Sequence, residues 1–320
     1  MGVSFLTPVA SLFALLAVVP LGVFLGRRRR ADRIRTALKL EGTGGRSWIA
    51  LAACLAAVPV LVGVAAAQPV VTSARTVPER SDAEVFVVLD TSRSMLASEA
   101  SGEPTRYERA RAEAIELQRE LGDIPVGLAS FTDRVLPHLF PTVDERVFRD
   151  TAVNSMGIER PPPSTSFGTN VTTLDALGVV PTQNFFTPAV KRRVLVVFTD
   201  GESQPISGVL SSDFARKPLV RVTFVRVGDV HERIYTSGVA EAGYKPDPTS
   251  SATLTAAAGA VHGRIVHEGD VGDVTAGVRQ ALGAGPTVDR RIEGSRRALM
   301  PLVALLAVFP LGFVLLRRNA

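Results

Sequence analysis

Asp90-Thr91-Ser92-Arg93-Ser94 and Thr199-Asp200-Gly201-Glu202 are the two clusters in the 320-residue chain whose residue types could do chemistry together. Each follows a short apolar run rich in β-branched residues, Val85 to Leu89 and Val194 to Phe198. Between them, Gly168-Thr169-Asn170 opens a segment with helical character. Two carboxylates and several hydroxyls, brought to one edge of one sheet, make an all-oxygen site. Such a site suits Mg²⁺, which takes about six oxygens in octahedral geometry and keeps some of its waters. Hydroxyls are neutral, weak ligands, so an ion held by them keeps net positive charge and accepts a further oxygen. A carboxylate from a partner would supply it.

Other chemistries fit less well. Asp90-x-Ser-x-Ser could simply cap a following helix, but Asp200 recurs at a matching strand end. A phosphatase of the haloacid dehalogenase type needs a second carboxylate two residues after its aspartate, where this chain has Ser92. His138, His231, His262 and His267 are scattered, with no nucleophile elbow and no His-Glu-x-x-His pattern. They read as exposed or capping residues, and the chain reads as a non-enzyme with no catalytic residue. Glu202 could reach the water layer around a bound metal or could be a solvated loop residue. The single cysteine, Cys54, allows neither an intrachain disulfide nor a cysteine-based metal site and reads as an apolar packing residue.

The elements that must position the two clusters alternate between strand and helix. Thr105-x-x-Glu108 has the form of a capping box, followed by Tyr107, Ala110, Ala114, Leu117 and Leu121 at helical spacing, with Gly122 as the stop. Strands are expected over 126–131 and 135–139, and a helix from Asp144 to about Asn154. The stretch Pro161-Pro162-Pro163-Ser164-Thr165-Ser166 must be loop. A short helix is expected over 171–179, a strand over 220–227, a helix over 249–259, a strand at 264–266 and a last helix over 271–282. This alternation predicts an α/β fold with a mostly parallel sheet and helices on both faces. Ligands in such sheets bind outside the C-terminal strand ends, where strand order reverses.

Charge separates sharply along the chain. The formal net charge is +5, yet residues 82–289 carry 20 Lys+Arg against 27 Asp+Glu, a net −7. The segment 27–46 is +6, with Arg27, Arg28, Arg29, Arg30, Arg33, Arg35, Lys39 and Arg46 against Asp32 and Glu41. The acidic folded part argues against a nucleic-acid partner. Three uncharged apolar runs, Phe5 to Gly26, Trp48 to Ala67 and Ala298 to Leu316, are long enough to cross a bilayer core of about 20 helical residues. Leu12 to Arg28 and Leu302 to Arg318 match at 12 of 17 positions, so the first and third runs should point the same way across the membrane. Basic residues stay on the cytoplasmic side. The N-terminus and the large domain are therefore expected outside the cell membrane and the C-terminus inside. The first run has its arginines after the apolar stretch, the wrong polarity for a signal peptide; cleavage after Ala65-Ala66-Ala67 is the minor alternative.

Taken with its strands, the pair of clusters resembles a von Willebrand factor A (VWA) domain with a metal-ion-dependent adhesion site (MIDAS). The family's Asp-x-Ser-x-Ser motif matches Asp90, Ser92 and Ser94; its later threonine matches Thr169, with Thr172 and Thr173 close by; its Thr-Asp-Gly aspartate matches Asp200. The resemblance covers roughly residues 82–283 and implies a doubly wound, Rossmann-like sheet. It further implies a divalent cation, Mg²⁺ or another such as Mn²⁺, on those five residues, and a protein ligand offering a carboxylate. Arg93 is a charge inside the motif whose effect on ligands is open. Two spans, the domain and one further span is an arrangement similar to bacterial Bat-type (aerotolerance-operon) membrane proteins. That likeness implies a role in envelope or complex assembly beside a MoxR-type AAA+ ATPase. The expected order is a membrane helix over 5–26, a basic cytoplasmic loop over 27–47, a second membrane helix over 48–67, the extracytoplasmic VWA domain over 82–283, a linker over 284–297 and a third membrane helix over 298–316.

Overall fold

The computed structural model describes residues 2–38, 47–160 and 172–319. It divides into two units, one of Met1–Thr76 with Arg291–Ala320 and the other of Val77–Arg290. The first unit opens with strand β1 (Gly2–Phe5) and a 3₁₀ stretch, Pro8–Ala17, that passes into helix α1 (Val18–Ala37). The helix does not stop at Gly26. It runs through the arginines to Ala37, since Arg and Ala are strong helix formers and neither Gly nor Pro follows to break it. The basic segment expected as loop from residue 27 therefore begins as helix. Helix α2 (Ser47–Ala66) packs along the 3₁₀ stretch, and its Gly63 makes the closest approach: a Cβ there would lie 2.6 Å from the Ala14 backbone nitrogen. Small residues at such crossings let helix backbones come together. Strand β2 (Pro69–Arg80) then leads out of this unit.

The second unit begins with strand β3 (Ala83–Asp90), every residue of which is buried. Helix α3 (Arg106–Leu121) carries the capping box as expected: Glu108 N–H donates to Thr105 Oγ1 at 3.2 Å, and Thr105 N–H donates to Glu108 Oε2 at 2.9 Å. Strands β4 (Val126–Phe131) and β5 (Val135–Thr142), helix α4 (Glu145–Asn154), a 3₁₀ turn at Leu174–Gly178 and the one-turn helix α5 (Val179–Thr182) follow. The helix expected over 171–179 is thus a 3₁₀ turn starting at Leu174. Next come strand β6 (Arg192–Thr199), helix α6 (Val209–Phe214) and strand β7 (Val220–Arg226). A small hairpin, β8 (Tyr235–Thr236) and β9 (Val239–Ala240), precedes helix α7 (Ser250–Ala260), strand β10 (Arg264–His267) and helix α8 (Val271–Leu282).

The main sheet has the order β10-β7-β6-β3-β4-β5, parallel throughout except for β5, which runs antiparallel to β4. Alternate residues of each central strand enter different cores, as the two-residue period of a strand requires. Val85, Val87, Leu89, Val194, Val196 and Phe198 join one core with α3, α4 and α8. Phe86, Val88, Leu195 and Val197 join another with α6 and α7. Helices on both faces make the sheet doubly wound, and the strands sit buried as their continuous apolar runs require.

After α8, strand β11 (Thr287–Ala298) occupies the segment expected as a linker, and helix α9 (Met300–Asn319) follows. A second sheet has the order β1-β2-β11. Pro8–Ala37, Trp48–Ala66 and Met300–Arg317 are each long and apolar enough to cross a membrane.

Candidate metal centre

Strands β3 and β6 are hydrogen-bonded neighbours with Leu89 opposite Phe198, so Asp90 and Thr199 leave the sheet at the same level. From β3 the chain moves to β4 on one side and only later to β6 on the other. The two clusters therefore flank the point where strand order reverses, the crevice in which such sheets bind ligands.

Asp90 is fully buried. Its Oδ1 accepts from Ser92 N–H at 2.9 Å and its Oδ2 from Thr199 Oγ1 at 2.6 Å. Thr199 Oγ1 in turn accepts from Gly201 N–H at 3.1 Å, which ties the two clusters together. Burial first, and then the charge of Asp200, push the Asp90 carboxyl up to about 7 against the hydrogen bonds from Ser92 and Thr199. A 3₁₀ turn at Arg93–Leu96, pinned by the fully buried Met95, brings Ser92 Oγ and Ser94 Oγ into hydrogen-bond contact at 3.0 Å. Two adjacent oxygens of an octahedral Mg²⁺ shell, each about 2.1 Å from the ion, lie about 3 Å apart.

Asp200 accepts at Oδ1 from Glu202 N–H at 2.9 Å. Gly201, between them, has φ +78°, and a Cβ on it would lie 2.7 Å from the Ser250 carbonyl oxygen, so glycine alone suits this turn. At Oδ2, Asp200 accepts from Arg106 Nη1 at 2.9 Å, an arginine no sequence motif points to.

Arg106 opens α3 and is 2% exposed. Its Nε donates to Glu232 Oε2 at 2.5 Å, its Nη2 to the Asp229 carbonyl at 2.7 Å, and its Nη1 also to Glu202 Oε1 at 2.9 Å and Tyr244 at 3.2 Å. Burial alone would push this guanidinium down; the charge of Asp200 and the bonds to Glu232 and Glu202 outweigh it and hold it above its usual value. Arg109, one turn on, joins Glu232 to Glu268 with contacts of 2.5 and 2.8 Å. Gly228 (φ +83°) makes room for the cluster: a Cβ there would lie 2.2 Å from Arg106 Nε. The signal that could have found Arg106 is its position. A cation in the first turn opposes the helix dipole and needs a specific acceptor to justify it.

With Asp90 ionised, Asp90, Asp200, Glu202, Glu232 and Glu268 set five negative charges against the two guanidinium groups. Each oxygen of Asp90 and Asp200 accepts one of the hydrogen bonds described above and keeps a lone pair. The donor set of two carboxylates and two adjacent hydroxyls fits a hard divalent cation. Among the described residues, no group of three His, Cys, Asp or Glu side chains could hold a metal, so the fit rests on the hydroxyl pair.

Asp90, Ser92, Ser94 and Asp200 are thus brought together. Thr169 lies outside the described residues. The segment carrying Thr172 and Thr173 runs beside the loop after Asp200, with Gln204 N–H donating to the Thr172 carbonyl at 3.0 Å and Leu174 N–H to Ser203 Oγ at 3.0 Å. Arg93 is drawn to Glu241 at 2.6 Å. Glu202 is neither free nor fully solvated, since Tyr244 also donates to its Oε1 at 2.8 Å; burial and the charge of Asp200 raise its carboxyl above the usual range. His138 is half-buried and 2.8 Å from Ser130 Oγ, with burial lowering its imidazole, while His231 is exposed beside Asp229 at 3.8 Å.

No family model matches the chain, and no curated protein matches it by sequence. Solved structures do match. BatB from Bacteroides thetaiotaomicron aligns with a TM-score of 0.50 and 21% identity, over 62% of this chain and 98% of that one. An aerotolerance-related membrane protein from Bacteroides fragilis, carrying multiple mutations to serine, aligns with 0.49 and 22% over the same shares. The VWA domain of SpRpn10 aligns with 0.39 and 13%, over 58% of this chain and 87% of that one. The likeness is one of fold: the chain shares a mixed α/β architecture with BatB, and it also carries three helices long and apolar enough to cross a membrane.

Proposed function

We propose that the domain is a binding module, not an enzyme, that captures a protein partner through a divalent cation, Mg²⁺ or Mn²⁺, held at Asp90, Ser92, Ser94 and Asp200. Thr169, or its neighbours Thr172 and Thr173, completes the set. The observation that carries this reading is the 3.0 Å hydroxyl pair of Ser92 and Ser94 beside two buried carboxylates at the strand-order switch. When bound, the ion supplies a positive centre to which a partner carboxylate adds its oxygen.

The chain's own residues do the positioning. Thr199 fixes one oxygen of Asp90, the Ser92 amide fixes the other, and Arg106 fixes Asp200. Arg106 offsets part of the charge of Asp200 and the serine hydroxyls are neutral, so a bound ion would keep attraction for an outside anion. Arg93, tethered by Glu241, is a second positive group on the motif loop available to that anion. The domain and the N-terminus lie outside the cell membrane, with Arg27 to Arg35 inside and the C-terminus inside.

A second reading comes from α1. The helix continues past its apolar part and presents Arg27, Arg28, Arg29, Arg30, Arg33 and Arg35 on a regular scaffold. Such a helix suits docking of a cytoplasmic partner, with a MoxR-type AAA+ ATPase as the expected one and complex assembly in the envelope as the role.

The test is crosslinking of the full chain in native membranes, with and without EDTA and with Asp90→Ala. A crosslinked partner lost under both treatments supports the cation bridge. One that survives both rejects it.

A further inference from the structure

The edge of the main sheet opposite Asp90 and Asp200 carries a second arrangement of charge. Strands β6 and β7 begin there and α8 ends there. A cavity of about 870 Å³ opens at this edge, and Lys191, Arg192, Arg193, Lys217 and Arg221 line it with no carboxylate among the lining residues. In a region of net charge −7 this cluster is not a by-product of composition.

Two of the five cations are held by the fold. Arg192 donates through Nη1 to the Leu282 and Ala284 carbonyls at 2.5 and 2.6 Å and lies 3.5 Å from Asp82. Arg193 donates to the Val190 and Thr187 carbonyls at 3.0 and 3.1 Å. Lys191, Lys217 and Arg221 are exposed, and among the described residues they have no acidic partner within 4.0 Å.

A second cavity of about 670 Å³ adjoins the first and shares Leu219, Arg221 and Ala281 with it. It exists because β10 pairs with β7 only from Thr223 onward, leaving Val220 and Arg221 without a strand neighbour on that edge. Phe214, Val220 and Val261 give it apolar walls, interrupted by Thr223, His262 and Arg264. Pockets of this size bury small ligands, with apolar walls for area and a few polar groups for orientation.

We infer that this edge binds an anionic phospholipid, its phosphate among Lys191, Lys217 and Arg221 and an acyl chain in the adjoining apolar groove. A basic cavity continuous with an apolar one matches an anion joined to a hydrocarbon. The same edge also carries the start of β3 and the end of α8. This inference is independent of the cation site.

Native mass spectrometry of the detergent-solubilised full chain tests it, with phosphatidylglycerol, phosphatidylcholine and soluble glycerol phosphate as probes. Wild type is expected to bind phosphatidylglycerol about tenfold or more tightly than phosphatidylcholine, and glycerol phosphate more weakly than either whole lipid. The exposed triple variant Lys191→Gln, Lys217→Gln, Arg221→Gln loses the preference while keeping the wild-type Tm. Leu219→Gln, at the junction of the cavities, weakens phosphatidylglycerol and leaves glycerol phosphate unchanged. Equal binding of the two lipids, a triple variant that keeps the preference, or glycerol phosphate binding as tightly as phosphatidylglycerol would each overturn it.

Discussion

Arg106 and Asp200 meet at 2.9 Å with both side chains 2% exposed, so a fixed guanidinium stands against one of the two carboxylates offered to a cation. The pairing leaves Asp200 oriented without a metal. It also couples the site to α3 and, through Glu232, Arg109 and Glu268, to the end of β10.

Removing one partner of a buried charge cluster strands the others, at a cost of about 3–5 kcal/mol. Arg106→Ala should destabilise the folded domain by that amount in urea unfolding of the detergent-solubilised chain. Added Mg²⁺ should recover part of the loss, because it supplies positive charge near Asp200. Wild-type stability in Arg106→Ala would contradict the role assigned to the pair.

Gly228 is required by both conformation and space, since φ is +83° and Arg106 Nε fills the position of a Cβ. Gly228→Ala should cost about 1–3 kcal/mol from backbone strain alone, with a further loss as Arg106 shifts. The measurement is the same urea midpoint, and an unchanged midpoint would count against the crowding described.

Asp90 gives the metal-free protein a particular pH dependence. Its carboxyl titrates at about 7 in the fold and at 3.8 as an ordinary aspartate. Between these values the folded state holds a proton that the unfolded chain has released, so stability falls as pH rises from about 4 to about 7. In EDTA, Tm should therefore be higher at pH 5 than at pH 8. Asp90→Asn should flatten this slope, and so should millimolar Mg²⁺, which favours the ionised carboxylate. A slope unaffected by Asp90→Asn would place its origin elsewhere.

Sidedness can be read by labelling, because Cys54 is the single cysteine and Cys54→Ser gives a clean background. Glu99→Cys should react with a membrane-impermeant maleimide on intact spheroplasts. Arg33→Cys should react only after permeabilisation. The opposite pattern would invert the topology.

The position of the two clusters at adjacent strand ends is legible because each is local and follows a continuous apolar run that has to be a buried strand. The proposal of Asp90, Ser92, Ser94 and Asp200 rests on the rule that places ligands at strand ends together with the motif resemblance. Arg106 was not legible, as its partners at positions 200, 202 and 232 are distant in sequence and its own surroundings read as an ordinary capped helix start. Strand β2 was missed because Pro69, Pro78 and several polar residues hide its pattern, and β11 because its arginines read as a membrane flank. Helix α1 outruns the apolar stretch that ends at Gly26, because the arginines that mark topology are also strong helix formers and extend it.

The central claim is that Asp90, Ser92, Ser94 and Asp200 hold a divalent cation, and calorimetric titration of Mn²⁺ into the detergent-solubilised full chain tests it most directly. Wild type should bind one equivalent saturably, and Ser92→Ala with Ser94→Ala should remove that binding while keeping the wild-type Tm in EDTA. Absence of saturable binding in wild type, or an unchanged isotherm in the double variant, would contradict the account.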